Sequence, residues 1–166
     1  MASDASSSAR TPSVVDRAFQ LAYFCAYRLI RSYWKVRHPE THGTQVLLFH
    51  GREVLLVKNS YVSYYSAPGG YVRRGETGRD AVLRELKEEV GITARPEEVA
   101  LSLDKTHDWE GKRDHVEVFS LNVEDRPDVK IDQREVVEAS WFTFERALGL
   151  NLFPPLREVI EARLAG

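Results

Sequence analysis

Three glutamates, Glu85, Glu88 and Glu89, sit within the stretch RELKEEV. At about 100° per residue on a helix, Glu88 lies about −60° and Glu89 about +40° from Glu85. The three carboxylates then share an arc of about 100°. Val82, Leu83, Leu86 and Val90 fall between about 60° and 160° in the same projection, so the acidic stripe borders a buried one. Like charges three and four residues apart cost a helix ~0.2–0.5 kcal/mol per pair. Arg84, placed before Glu88 at helical spacing, offsets one of them and leaves a net negative, oxygen-rich cluster. A hard divalent cation resolves such a cluster. Mg2+ binds a few carboxylates, keeps some waters, and takes further ligands from phosphates. Taken alone, RELKEEV also has the composition of a solvated helix face.

The residues around the cluster must hold it in place. Thr77 and Asp80 form a capping-box variant, which predicts a helix from Thr77 to Val90. Gly91 suits a left-handed stop, and Ile92 beyond it supplies the closing apolar contact.

The full spacing is more specific than the helix. Gly70, five residues, Glu76, seven residues, Arg84-Glu85-Leu86, one residue, Glu88-Glu89, one residue, Gly91-Ile92 resembles the Nudix box. That box reads GX5EX7REUXEEXGU with U aliphatic, and every defined position matches. The resemblance to Nudix hydrolases covers roughly residues 44–150. It implies an α/β/α sandwich around a mixed sheet. It also implies hydrolysis of a nucleoside diphosphate linked to another group, using Mg2+ or Mn2+ and an attacking water. By position, Glu85, Glu88 and Glu89 would be metal ligands, with the Gly70 carbonyl as a further one. Arg84 would orient the carboxylates, and Glu76 would brace the loop–helix–loop. Ala67-Pro68-Gly69-Gly70 resembles the family lead-in, with alanine where a larger apolar residue is usual.

The family's general base varies between a box glutamate and a glutamate on a downstream loop. Glu135, six residues before Trp141, is the candidate for the downstream role, with Glu138 and Glu117 as rivals. Lys58, Arg73 and Arg74 are candidate phosphate contacts. Trp109, Tyr65, Tyr64 and Phe119 offer ring faces on which a base could stack, since every base has a π-face. His107 and His115 are further polar candidates. All of these residue types are equally at home in loop or core packing. The proline expected in ADP-ribose-specific members is missing near His107-Asp108-Trp109. The SQPWPFPxS-type array of NADH-cleaving members is absent, as is the signature that accompanies coenzyme A cleavage. A different class of function, a non-catalytic nucleotide-sensing or protein-binding domain, uses the same fold. The retained Arg84, Glu85, Glu88 and Glu89 favour catalysis.

The rest of the chain organises itself around this segment. Residues 1–13 are small and polar and read as a disordered tail. Residues 14–38 read as an amphipathic helix, running from Val14 to Val36 with Pro39 as its stop. Residues 1–44 carry six Lys/Arg against three Asp/Glu, a net +3, which leaves −5 for the remainder. A basic, aromatic helix can lie on a membrane surface, but its apolar face is first the signature of packing on its own domain or on a second subunit. A homodimer through this helix is therefore an expectation. Residues 40–166 form the expected Nudix-type domain. Strands are predicted at Gln45–Phe49, Val54–Lys58, Val99–Leu103, His115–Val123 and Ala139–Phe144, with a last helix from Pro154 to Leu164. Residues 59–69 read as a loop and Asp104–Asp114 as a turn region with Gly111 near its tip.

Composition excludes several classes. The single Cys25 rules out an internal disulfide framework and a zinc site built mainly from cysteines. No apolar run approaches the ~20 residues of a membrane span. A net charge of −2 gives no electrostatic reason to expect nucleic-acid binding. The apolar run lies too late for a secretory signal, and Asp4 and Asp16 count against a mitochondrial presequence. A cytoplasmic protein is expected.

Overall fold

The computed structural model describes residues 11–166. Most of the expected tail lies outside the described residues. Ser13, at its end, caps the first helix: its hydroxyl accepts from the Asp16 N–H, and Asp16 reaches back to the Ser13 backbone. Helix α1 runs Val14–Arg37 and ends at His38 in a left-handed conformation, directly before Pro39. Strands follow at β1 (Glu40–His50), β2 (Glu53–Asn59) and β3 (Gly69–Tyr71), then helix α2 (Gly78–Val90). Next come β4 (Val99–Trp109), β5 (Lys112–Asn122) and β6 (Val136–Thr143), then helices α3 (Phe144–Leu148) and α4 (Pro154–Ala165).

The strands form one mixed sheet in the order β4-β5-β1-β2-β6, with β3 also on β1. β1 and β5 run parallel, and the other pairings are antiparallel. The runs VLLF and VLLV explain the layering. Successive side chains point to opposite faces of a strand, and a strand buried on both faces reads as continuously apolar. Leu47, Phe49, Val54 and Leu56 pack with Leu156 and Ile160 of α4 on one face. Val46, Leu48, Leu55 and Val57 pack with Val82, Leu86 and Val90 of α2 on the other. Each fully buried side chain of this kind contributes about 1.5–3 kcal/mol. The result is the expected α/β/α sandwich around a mixed sheet, with α1 as an extra N-terminal helix.

Helix α1 packs on its own domain along one face. Asp16 is buried against Arg134, and the Gln20 amide donates to the Gln133 carbonyl at 2.7 Å. Tyr27 donates to Glu110, and Trp34 is buried under the Lys112 ammonium, 4.8 Å from its ring centroid. The opposite face keeps Val14, Leu21, Leu29 and Val36 exposed. No helix among the described residues is long and apolar enough to cross a membrane.

Three expectations need correction. Asp104–Asp114 is not a turn region: β4 and β5 extend through it as a hairpin, and only Glu110-Gly111 at the tip has positive φ. Residues 69–71, read in part as loop, form β3. The strand predicted to end at Phe144 stops at Thr143, whose hydroxyl caps α3.

Candidate active site

The site begins with helix α2. Both halves of its capping box are present: the Asp80 N–H donates to Thr77 Oγ1 at 3.1 Å, and the Thr77 N–H donates to Asp80 Oδ2 at 3.3 Å. Gly91 ends the helix with φ +73°, a conformation glycine adopts without steric cost. Val82, Leu86 and Val90 are fully buried, which fixes the rotation of the helix and carries the acidic stripe to the edge of the core.

β3 brings the paired glycines to that stripe. Gly69 and Gly70 pair with Gln45 and Thr44 of β1. A Cβ on Gly70 would lie 2.5 Å from Glu85 Oε1, so any larger residue would push that carboxylate from its place. The Gly69 N–H donates to Glu89 Oε2 at 2.9 Å.

Arg84 is the hub of the cluster. Its guanidinium meets both oxygens of Glu76, at 2.9 and 3.1 Å. It also bonds Glu85 and reaches Glu88 Oε2 at 3.3 Å. With the Arg73 N–H also donating to Glu76, these bonds hold the Glu76 carboxyl down at about 2. Bidentate guanidinium–carboxylate pairing adds directional specificity that a lysine does not supply.

Glu89 lies in the opposite electrostatic condition. Burial pushes its carboxyl up to about 8, the Gly69 N–H opposes that rise, and the negative charges of Glu135, Glu85 and Asp132 add to it. A carboxylate hemmed in by others is short of positive charge. Glu88, on the exposed side of the helix, meets Arg84 at 3.3 Å and Arg73 at 3.7 Å. Among the described residues no three His, Cys, Asp or Glu side chains form a ready metal-holding group. The donor set still fits a hard cation: carboxyl oxygens, the negative charges gathered around Glu89, and a glycine backbone pressed against Glu85.

The rival bases separate in space. Glu135 acts electrostatically on Glu89 and accepts a hydrogen bond from the Tyr61 hydroxyl at 2.8 Å. Glu138 sits on β6 opposite Lys58 and accepts from the Tyr65 hydroxyl at 3.1 Å. Glu117 is bonded to His42 at 2.9 Å and lies against Gly78 at the start of α2.

The substrate candidates divide in the same way. Arg73 and Arg74 are exposed on the loop between β3 and α2. Lys58 lies over the Tyr65 ring at 5.4 Å, and that ring packs edge-on against Phe142. Phe119 is buried in the core beside α2. Trp109 packs on Phe153 and Tyr64 and borders a cavity of about 320 Å3 that also reaches Gly69 and Gly70. His107 stacks on Trp109, and burial lowers its pKa. His115 bonds Asp104 at 2.7 Å. The sequence reading missed Tyr61 and the cavity-facing side of α1. The only signals were the Tyr-rich loop and the regular aromatic spacing of Phe19, Tyr23 and Tyr27.

The chain is similar to known proteins in sequence and in fold. An NAD-capped RNA hydrolase NudC from Chromobacterium violaceum is 32% identical over 109 residues, which are 64% of this chain and 39% of that protein. An 8-oxo-dGTP diphosphatase from Escherichia coli is 36% identical over 99 residues, 58% of this chain and 70% of that protein. The chain thus spans well under half the length of the NudC relative. A crystal structure of a MutT protein from Methanosarcina mazei superposes with a TM-score of 0.64 at 27% identity, covering 76% of this chain and 94% of that one. The NUDIX domain model matches residues 40–162. With the box, the sandwich and that match in agreement, the chain belongs to the NUDIX domain family, the Nudix hydrolases.

Proposed function

We propose that this protein hydrolyses a pyrophosphate bond in a nucleoside diphosphate linked to another moiety, by attack of water, with Mg2+ or Mn2+ as cofactor. The observation that carries this reading is the crowding of Glu85, Glu89 and Glu135 beside Gly69-Gly70, with the Glu89 carboxyl pushed up to about 8. The similarity to an 8-oxo-dGTP diphosphatase and to an NAD-capped RNA hydrolase supports a nucleotide as the substrate class.

Glu85, Glu88, Glu89 and the Gly70 carbonyl would hold the ion. Bound there, such an ion neutralises phosphate charge and lowers the pKa of water. The chain's own residues do the remaining work. Glu135 accepts the proton of the attacking water, and the Tyr61 hydroxyl holds its carboxylate in place. Arg84 orients Glu85 and Glu88 through one nitrogen while Glu76 fixes the guanidinium. Arg73 and Arg74 contact the phosphates from the adjoining loop. Residues 40–166 form the catalytic unit, and the exposed Leu21, Leu29 and Val36 of α1 support a homodimer, testable by sedimentation.

The test is turnover. The protein is incubated with Mg2+ and a panel of nucleoside triphosphates, nucleotide sugars, ADP-ribose and dinucleotides, and products are identified by chromatography. Selective cleavage at a pyrophosphate, lost in Glu85→Gln, is expected. Turnover unchanged by that substitution would refute the assignment of the site.

A further inference from the structure

Helix α1 lies outside the segment that matches the family, residues 40–162, yet it forms one wall of the cavity that opens onto Gly69 and Gly70. Tyr23, Ala26, Tyr27 and Ile30 face that space from α1. Tyr64, Trp109 and Phe153 face it from the domain. The rings fall into two contacting groups, Tyr23, Tyr27 and Tyr61 in one and Tyr64, Trp109 and Phe153 in the other. Tyr27 and Tyr61 centroids are 5.0 Å apart, Tyr64 and Trp109 5.7 Å, and Trp109 and Phe153 5.4 Å.

Polar groups also border the cavity. Gln45 borders the cavity from β1, on the same face of the sheet as Leu47 and Val116, and its side-chain amide oxygen is buried without a hydrogen-bond partner. The Lys112–Asp114 pair, 2.9 Å apart, lies at the same cavity. A buried amide oxygen without a partner is destabilising, and a ligand's hydrogen bond would recover that loss. At about 320 Å3 the cavity is at the lower end of the range for ligand sites, roughly 300–1,000 Å3.

The wall is held in place at both ends. Tyr27 and Arg31 bind Glu110 at the β4–β5 hairpin. Asp16 and Gln20 bind Arg134 and Gln133, next to Glu135. The helix thus bridges the cleft from the hairpin to the loop that carries the candidate base.

We propose that α1 is a specificity element of the substrate site. Its Tyr23, Tyr27 and Ile30 close an aromatic slot for the planar nitrogen heterocycle of the substrate's nucleoside half, with the Gln45 amide bonding the ring edge and the phosphates leading out past Gly70 to the carboxylates. This rests on the hydrolase reading only in taking the ligand to be a nucleotide. A ring between flat aromatic faces gains stacking worth roughly tenfold or more in affinity.

The test is calorimetric titration of the full chain with Mg2+ and ADP, GDP, CDP or UDP, beside inorganic pyrophosphate. Ala26→Phe fills the slot and leaves both anchors intact, Tyr27→Ala removes a wall, and Ser32→Ala at an exposed position of α1 is the control. Nucleotide affinity is expected to fall at least tenfold in Ala26→Phe and Tyr27→Ala, with pyrophosphate affinity unchanged and Ser32→Ala matching the parent. Both slot variants within twofold of the parent would overturn the proposal, as would a parent chain that binds none of the four nucleotides. The hydrolase reading is judged separately. Turnover abolished by Glu89→Gln with normal binding in Ala26→Phe would leave hydrolysis standing and remove the slot. Weakened binding in Ala26→Phe with turnover indifferent to Glu89→Gln would do the reverse.

Discussion

Glu89→Gln in the metal-free protein should flatten the dependence of stability on pH. The Glu89 carboxyl sits at about 8 against an ordinary value of 4.5, chiefly through burial. At about 1.4 kcal/mol per pKa unit this difference amounts to about 5 kcal/mol. The side chain keeps some contact with solvent, and screening brings the expected effect to about 2–3 kcal/mol. The sign follows from proton binding. Below about pH 4.5 the carboxyl is neutral in both the folded and unfolded chain, and its contribution is intact. Between about 4.5 and 8 the unfolded chain releases the proton while the folded one retains it, so stability is lost as pH rises through 8. A glutamine keeps the acceptor for the Gly69 N–H and carries no charge at any pH. Urea unfolding in EDTA at pH 4.5, 6, 7.5 and 9 reads the effect. The variant should match the parent at the lowest pH and exceed it by about 2–3 kcal/mol at the highest. Saturating Mg2+ at pH 9 should stabilise the parent and not the variant. Parallel pH profiles for the two proteins, or a variant less stable at pH 9, would refute this account of the site's electrostatics.

Further predictions test the supporting structure. Gly70→Ala places a Cβ 2.5 Å from Glu85 Oε1 and should lower kcat at least tenfold with little loss of Tm, as turnover assays and thermal melts together would show. Arg84→Lys keeps the charge and loses the two-point bond to Glu76. Activity should drop roughly 10–100-fold, and an unchanged kcat/KM would argue that Arg84 merely neutralises. Gly91→Ala forces a Cβ into a φ of +73° and should cost about 1 kcal/mol, a fall of roughly 2–4 °C in Tm without change in KM.

What could be read from the sequence was what is local. The α2 cap, the Gly91 stop and the placement of Glu85, Glu88 and Glu89 beside the core all follow from residue types within one helix. The charged run Asp104–Asp114 misled because its polarity reflects a solvent-facing edge strand, which alternation in β4 and β5 hides among Asp, Lys and His. Glu135, Glu138 and Glu117 looked alike because only tertiary pairing separates them. β6 carries Glu138 to Lys58 and Tyr65, β5 carries Glu117 to His42, and the loop before β6 brings Glu135 near Glu89. Helix α1 read as an amphipathic helix from its period. That its aromatic face closes a cavity depends on contacts such as Gln20 to Gln133, 113 residues apart in sequence, which no local pattern encodes.

The central claim is that carboxylates on α2 hold the divalent ion used to break a nucleotide pyrophosphate. Its most direct test is the rate of Mg2+-dependent cleavage of the best substrate by the parent and by Glu89→Gln, with both shown to be folded by circular dichroism. The account predicts a fall in kcat of at least 100-fold, about 2.7 kcal/mol in the barrier, and no recovery at higher Mg2+ or higher pH. Parent-like turnover in the variant would contradict it.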